Sequence, residues 1–207
     1  MMKEKISNTV QKQLQIQDLC KSYDQESVLD HVSMTLTCGN SYCLMAPSGS
    51  GKTTLFRILL GLESADSGQI AGLSESSMAA VFQEDRLLEG YTALENLRFV
   101  TGRRYSNKEL TDLLLRLLPA DALTKPVCEF SGGMKRRTAI LRAILAPAEM
   151  IIMDEPFTGL DADTKQKAIK LIREYTADKL LLFSTHHEED AKLLGAEMIH
   201  LKKSSFK

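Results

Sequence analysis

The chain has 207 residues, enough for one sizeable hydrophobic core or for a core with a small satellite lobe. An apolar fraction of 43%, a charged fraction of 26% and a net charge of −1 are those of a soluble globular protein and give no global electrostatic pull toward nucleic acid. Residues 1–17 lack the apolar centre of a signal peptide, and the longest apolar runs fall far short of the about 20 residues of a membrane span, so work at a membrane is expected to pass through partner chains.

In chain order, residues 14–19 alternate apolar and polar side chains and predict a strand; 28–36 predict a second, ending at the turn Cys38-Gly39-Asn40. Residues 41–45 form a short apolar run just before a glycine-rich loop, the pattern of a buried strand. Residues 53–61 read as a helix closed by Gly61, and 79–83 as another strand. The middle of the chain changes character. Residues 94–100, 107–118 and 131–146 read as helices, the second capped by Ser106 with Glu109 completing a capping box, the third stopped by Pro147. Apolar strands at 150–153 and 180–183 flank a helical stretch at 164–176, an order that favours parallel pairing through a crossover. Residues 195–201 read as a last short strand. The sum is an α/β core, 1–84 and 147–207, interrupted by a mostly helical insert at 85–146.

Ala46-Pro47-Ser48-Gly49-Ser50-Gly51-Lys52-Thr53 fits the P-loop pattern except at its first position, where the pattern wants glycine. Gly49 and Gly51 let backbone N–H groups turn toward phosphate oxygens, with Ser48, Ser50 and Thr54 in the same cradle. Lys52 offers a positive charge to the β- and γ-phosphates, the Thr53 hydroxyl is a Mg²⁺ ligand, and the helix that starts here adds the positive end of its dipole. Ala46 is expected to carry a torsional penalty of about 1–2 kcal/mol if its φ is positive. Further on, the apolar run Met150-Ile151-Ile152-Met153 ends in Asp154-Glu155. Asp154 is placed to hold Mg²⁺ through a water, and Glu155 to polarise a water for attack on the γ-phosphate.

Phe130-Ser131-Gly132-Gly133-Met134-Lys135-Arg136-Arg137 resembles the signature of ABC ATPases, with Phe130 and Met134 replacing the usual leucine and glutamine. Ser131, Gly132 and Gly133 at a helix start make a second anion nest. The resemblance implies that this nest closes over ATP held by a second, head-to-tail copy of the chain. It also implies a P-loop NTPase core with a mixed sheet and parallel core strands, an antiparallel β region and an inserted helical subdomain, all in one ABC ATPase domain. Other elements are similar to the family's in the same order: Tyr23 for adenine stacking, Gln83 for Mg²⁺ contact and relay, Gly159-Leu160-Asp161 for the D-loop, and His186 for the γ-phosphate, with His187 as its rival.

The implied function is ATP binding and hydrolysis that powers transport through separate membrane permease subunits, with the chain on the cytoplasmic face of the membrane and without nucleic acid as a partner. Val81-Phe82-Gln83-Glu84-Asp85-Arg86-Leu87-Leu88 and Leu94-Glu95-Asn96-Leu97 resemble the ATPases of nitrate, sulfonate and taurine-type importers, which implies import and a solute-binding protein. An exporter or lipoprotein-release ATPase, and a soluble non-transport ABC protein, are the alternatives. The remaining features read plainly. Cys20, Cys38, Cys43 and Cys128 lack metal-ligand spacing and are expected as free thiols. His31 and His200 carry no motif and are expected to be structural, Arg86 exposed or at a docking surface. Lys135-Arg136-Arg137 is expected to be a solvated helix face. Leu87 and Leu88 are either docking surface or core of the small lobe.

Overall fold

The computed structural model describes residues 12–24, 26–47 and 49–201; Ser48, one of the expected phosphate-loop residues, lies outside them. The alternation at the start of the chain forms a hairpin of β1 (Gln13–Tyr23) and β2 (Glu26–Thr37), and β4 (Ser67–Ala71) pairs on the other side of β1, giving an antiparallel sheet in the order β2-β1-β4. The second sheet holds β3 (Ser41–Met45), β5 (Met78–Val81), β6 (Met150–Asp154), β7 (Leu180–Ser184) and β8 (Glu197–His200) in the order β5-β6-β7-β3-β8, every pairing parallel. The fold is the α/β class expected, with parallel and antiparallel strands segregated into two sheets instead of mixed in one.

The central strands β6 and β7 of the parallel sheet are buried on both faces, which explains why they read as unbroken apolar runs. Their two-residue period still sorts the side chains. Leu44, Met150, Ile152, Leu180 and Leu182 point into a core shared with Leu14, Ile16 and Leu36 of the antiparallel sheet and with Leu55, Phe56 and Leu59 of α1 (Lys52–Leu59). Cys43, Val81, Ile151, Met153, Leu181 and Phe183 point into the opposite core. There they meet the helices α2 (Ala93–Thr101), α3 (Asn107–Leu115), α4 (Gly132–Leu145) and α5 (Ala162–Tyr175).

Local chemistry sets the helix boundaries. Ser106 and Glu109 make the expected capping box on α3, and Thr92 and Glu95 make another on α2. Ser131 caps α4 by accepting from the Met134 N–H at 3.3 Å, so the helix starts one residue later than the periodicity suggests. The fully buried Asn96 ties α2 to the loop before it, accepting from Leu88 N–H and donating to the carbonyls of Leu88 and Thr92. Two elements had no periodic signal. β4 is exposed along its length and contains Gly68, so it shows no apolar alternation. The last helix, α6 (Glu188–Leu194), opens with three acidic residues, which suit the positive end of a helix but mask its short apolar face. Gly195 closes that helix in the left-handed conformation, so β8 is shorter than the expected 195–201 strand.

The basic run differs most from expectation. Arg136, with only 9% of its side chain exposed, lies inside the protein and not on a solvated face. Arg137 donates to the carbonyls of Gly133 and Leu117, and Lys135 pairs with Glu89. Each cation found a local acceptor that the linear sequence does not reveal.

Candidate functional site

In a parallel sheet all strands end at the same edge, and loops leaving that edge form the natural ligand crevice. Here β3 is followed by the phosphate loop, β5 by Gln83, β6 by Glu155 and β7 by His186. The sheet order therefore sets Gln83, Glu155, His186 and the loop side by side. A cavity of about 280 Å³ at this edge is lined by Val28, Gly49, Ser50, Gly51, Lys52, Thr53, Thr54, Gln83, Glu155 and His186. A larger cleft, about 540 Å³, is lined by Asn40, Arg173 and Glu197 and gathers none of the expected site residues.

The phosphate loop keeps its shape through backbone geometry. Gly49 and Gly51 have φ of 76° and 86°. A Cβ on Gly51 would stand 2.8 Å from the Val28 carbonyl oxygen, so only glycine fits. Ala46 is not among the residues with positive φ, and the torsional penalty expected for it does not arise. Its carbonyl instead accepts from Lys52 Nζ at 2.5 Å, with the Pro47 carbonyl at 3.2 Å. The Lys52 ammonium is thus held at the mouth of the loop. No acidic residue occupies the first turn of α1 to compete for that positive terminus.

At the end of β6, Thr53 Oγ1 donates to Asp154 Oδ2 at 2.8 Å, and Ser184 Oγ donates to Asp154 Oδ1 at 2.6 Å. The same Ser184 oxygen accepts from the Glu155 N–H at 3.0 Å. Ser184 therefore locks the tips of β6 and β7 together; its only sequence signal was its place at the end of an apolar run. Thr53 lines the cavity together with Gln83, and its hydroxyl paired with the Asp154 carboxylate makes hard oxygen donors of the kind that fit Mg²⁺. Glu155 has φ of 51°, a strained conformation for a side-chain-bearing residue and of the kind that collects at functional sites. That turn brings its Oε1 to 3.1 Å from His186 Nε2. Burial pushes the Glu155 carboxyl above its usual range; His186 opposes the shift, Asp154 adds to it, and Lys52 and His187 oppose it.

His187 turns to a neighbouring cavity of about 330 Å³ that shares Glu155 and His186 as a wall. Its N–H donates to Thr185 Oγ1, whose hydroxyl donates to the fully buried Asp190 at 2.8 Å, and Asp190 is ion-paired with Lys165 of α5. Sequence reasoning singled out neither Asp190 nor Lys165, since a lone acid or lysine in a charged stretch carries no pattern.

Tyr23 is exposed beside this edge. Its phenol donates to Glu63, is hydrogen-bonded to Thr54, and its ring lies 5.3 Å from Lys21 Nζ. Arg57 holds Glu63 from the other side at 3.3 Å. The structure does not bring Ser131, Gly132 and Gly133 into the phosphate cavity. They stand at the start of α4, Ser131 and Gly132 exposed, with a Cβ on Gly133 meeting the Gly159 carbonyl oxygen at 3.3 Å. Leu88 is exposed whereas Leu87 packs partly against the helical core, so the two leucines divide between surface and interior. Arg86 is exposed, its guanidinium 4.0 Å from the Phe82 ring centroid. His31 and His200 are exposed.

Residues 29–158 match the family model described as ABC transporter. The chain is 34% identical over 198 residues to a Nod factor export ATP-binding protein I of Sinorhizobium fredii, covering 87% of this chain and 57% of that protein. It is 30% identical to a sulfate/thiosulfate import ATP-binding protein of Vibrio vulnificus, covering 92% and 61%. It is 34% identical to an aliphatic sulfonates import ATP-binding protein of Nocardia farcinica, covering 92% and 78%. The chain thus spans about three fifths of the length of the first two relatives. A dimeric bacterial ABC transporter cassette superposes with a TM-score of 0.79 at 25% identity, covering 92% of this chain and 94% of that one. A dimeric cassette bound to ADP and phosphate has a TM-score of 0.80 at 24% identity, over the same shares.

Proposed function

The chain belongs to the ABC transporter family of ATP-binding proteins, and from that premise we propose that it binds ATP between two copies of itself and hydrolyses it to drive solute transport. The observation that carries this reading is the convergence of Lys52, Thr53, Gln83, Glu155 and His186 on one cavity where parallel strands end. The loop backbone and Lys52 bind the triphosphate, and Lys52 exchanges its carbonyl partners for phosphate oxygens. Tyr23, held by Glu63, offers its ring to adenine.

Thr53, Asp154 and Gln83 would hold Mg²⁺, which when bound would neutralise charge on the phosphates. Glu155 accepts a proton from the attacking water as its oxygen bonds to the γ-phosphorus and the bond to the β,γ-bridging oxygen breaks, leaving ADP and phosphate. His186 hydrogen-bonds a γ-phosphate oxygen and keeps Glu155 aimed. Ser131 and Gly133 of the facing copy cover the same phosphate, so the reaction depends on positioning and charge stabilisation across two chains.

We further propose that the transported solute moves inward through separate membrane permease subunits, with a solute-binding protein upstream and this chain on the cytoplasmic face. The names of the sulfonate and sulfate relatives support import; the Nod factor relative supports export as the second reading. No helix among the described residues is long and apolar enough to cross a membrane.

The test is ATP hydrolysis measured against protein concentration. Turnover per chain should rise with concentration and require Mg²⁺, because each site needs two copies. Activity strictly proportional to protein at every dilution, with no dimer formed on adding ATP, would break the shared-site reading.

A further inference from the structure

We infer that Arg136 is a positioning residue that fastens the backbone beneath Gln83 to the helix carrying Ser131, so that the two half-sites of one chain move as a unit. The inference deepens the proposed function and rests on it. β5 ends at Val81, so the carbonyls that follow leave the sheet ladder and need other partners.

Those partners come from α4. Arg136 donates to the Phe82 carbonyl at 2.5 Å and to the Gln83 carbonyl, while its Nε lies 3.1 Å from an Asp85 carboxylate oxygen. Arg142, on the same helix, donates to the Arg86 carbonyl at 2.9 Å and the Asp85 carbonyl at 3.4 Å. Four carbonyls of the 82–86 loop are thus gripped by two guanidinium groups. The loop is folded tightly under this grip: Arg86 has φ of 44°, and its guanidinium stacks back over Phe82.

The two ends of this linkage face different ligands. The Gln83 side chain lines the phosphate cavity, and α4 begins at the Ser131 nest that serves the facing copy. Rotation of α4 on closure would carry the Gln83 backbone with it through Arg136. A planar fork can serve two carbonyls and a carboxylate at once, whereas a lysine ammonium is a single point donor and would hold fewer of them.

Kinetics of Arg136→Gln, Gln83→Ala and the double variant in the intact chain test the inference. Arg136→Gln should lower kcat by about tenfold or more with nucleotide affinity kept within about twofold. Arg136→Lys should recover only part of the loss. In the double variant kcat should match that of Gln83→Ala alone, because Arg136 acts through Gln83. Unchanged kcat in Arg136→Gln, or losses that multiply in the double variant, would overturn the inference. Should Arg136→Gln fail to fold, Arg136→Lys takes its place in the cycle. Amide exchange is independent of turnover: in the variant it should quicken over residues 82–86 and stay unchanged over 150–154, and equal protection of the loop would also count against it. A parent chain that hydrolyses no ATP would defeat the proposed function instead, leaving the exchange result to decide the clamp.

Discussion

The phosphate cavity and the Ser131 nest are built on opposite plans. Around the cavity, functional groups are tied to groups from other elements: Thr53 to Asp154, Asp154 to Ser184, Glu155 to His186, Lys52 to the loop carbonyls. At the nest, among the described residues, the Ser131 hydroxyl serves only its own helix, and a Cβ on Gly132 would meet nothing within 4 Å. One site is organised from within; the other is an open helix start with room for a partner. On the proposed function, interior hydrogen bonding marks the half that would hold the nucleotide, and open backbone marks the half that would receive another copy.

The sharpest way to test this contrast is Glu155→Gln. Loss of a general base should lower turnover by about 10²–10⁴ while nucleotide binding persists, and ATP should trap a dimer visible by gel filtration. Turnover at the parent rate would remove Glu155 from its role. Lys52→Ala comes next. Losing a charge-assisted contact of about 1.5–3 kcal/mol should weaken nucleotide affinity by roughly 10- to 100-fold, and calorimetry would read it directly. Ser131→Asp separates the two regions most cleanly. Aspartate still caps the helix, so melting should hold steady. Its negative charge would repel the facing triphosphate. Turnover should drop by about tenfold or more with single-chain nucleotide affinity unaltered; a loss of that affinity would mean the nest belongs to the cavity of its own chain.

The smallest effect concerns pH. Burial raises the Glu155 carboxyl above its usual range, so hydrolysis should fade as pH drops through a value above that of an ordinary glutamate. The stability effect has the opposite sense. A carboxyl that holds its proton more tightly in the fold than in the unfolded chain penalises the fold while ionised, and the penalty lifts as pH falls through the folded value. Glu155→Gln should therefore melt slightly higher than the parent at neutral pH, with the difference closing in acid. A constant difference across the pH range would detach it from this ionisation.

Much of the architecture was legible because it rests on short-range rules. The runs at 150–153 and 180–183, the turn glycines of the phosphate loop and the Ser106 cap each announce their structure within a few residues. The cavity residues were legible as well, since a strand end followed by a loop places them at one edge. What stayed hidden depends on distant partners. Arg136 looked like one cation in a basic run, and only the fold reveals that unpaired carbonyls after Val81 lie beneath it. Ser184 and Asp190 likewise gain meaning from Asp154 and Lys165, about 25–30 residues away in sequence. β4 was hidden for another reason: an exposed strand has no apolar period to read.

β6 shows what a shared ruler does to a protein's tolerance of change. Ile151 and Met153 fill one core, Met150 and Ile152 the other, and the next two positions supply Asp154 and Glu155. Deleting a single residue from that strand would exchange the two faces and withdraw both carboxylates from the sheet edge in the same step. Folding and chemistry are counted along one frame here, so length variation in descendants of this chain belongs in the loops and helices, and a strand-length variant that folded and still turned over ATP should not be found.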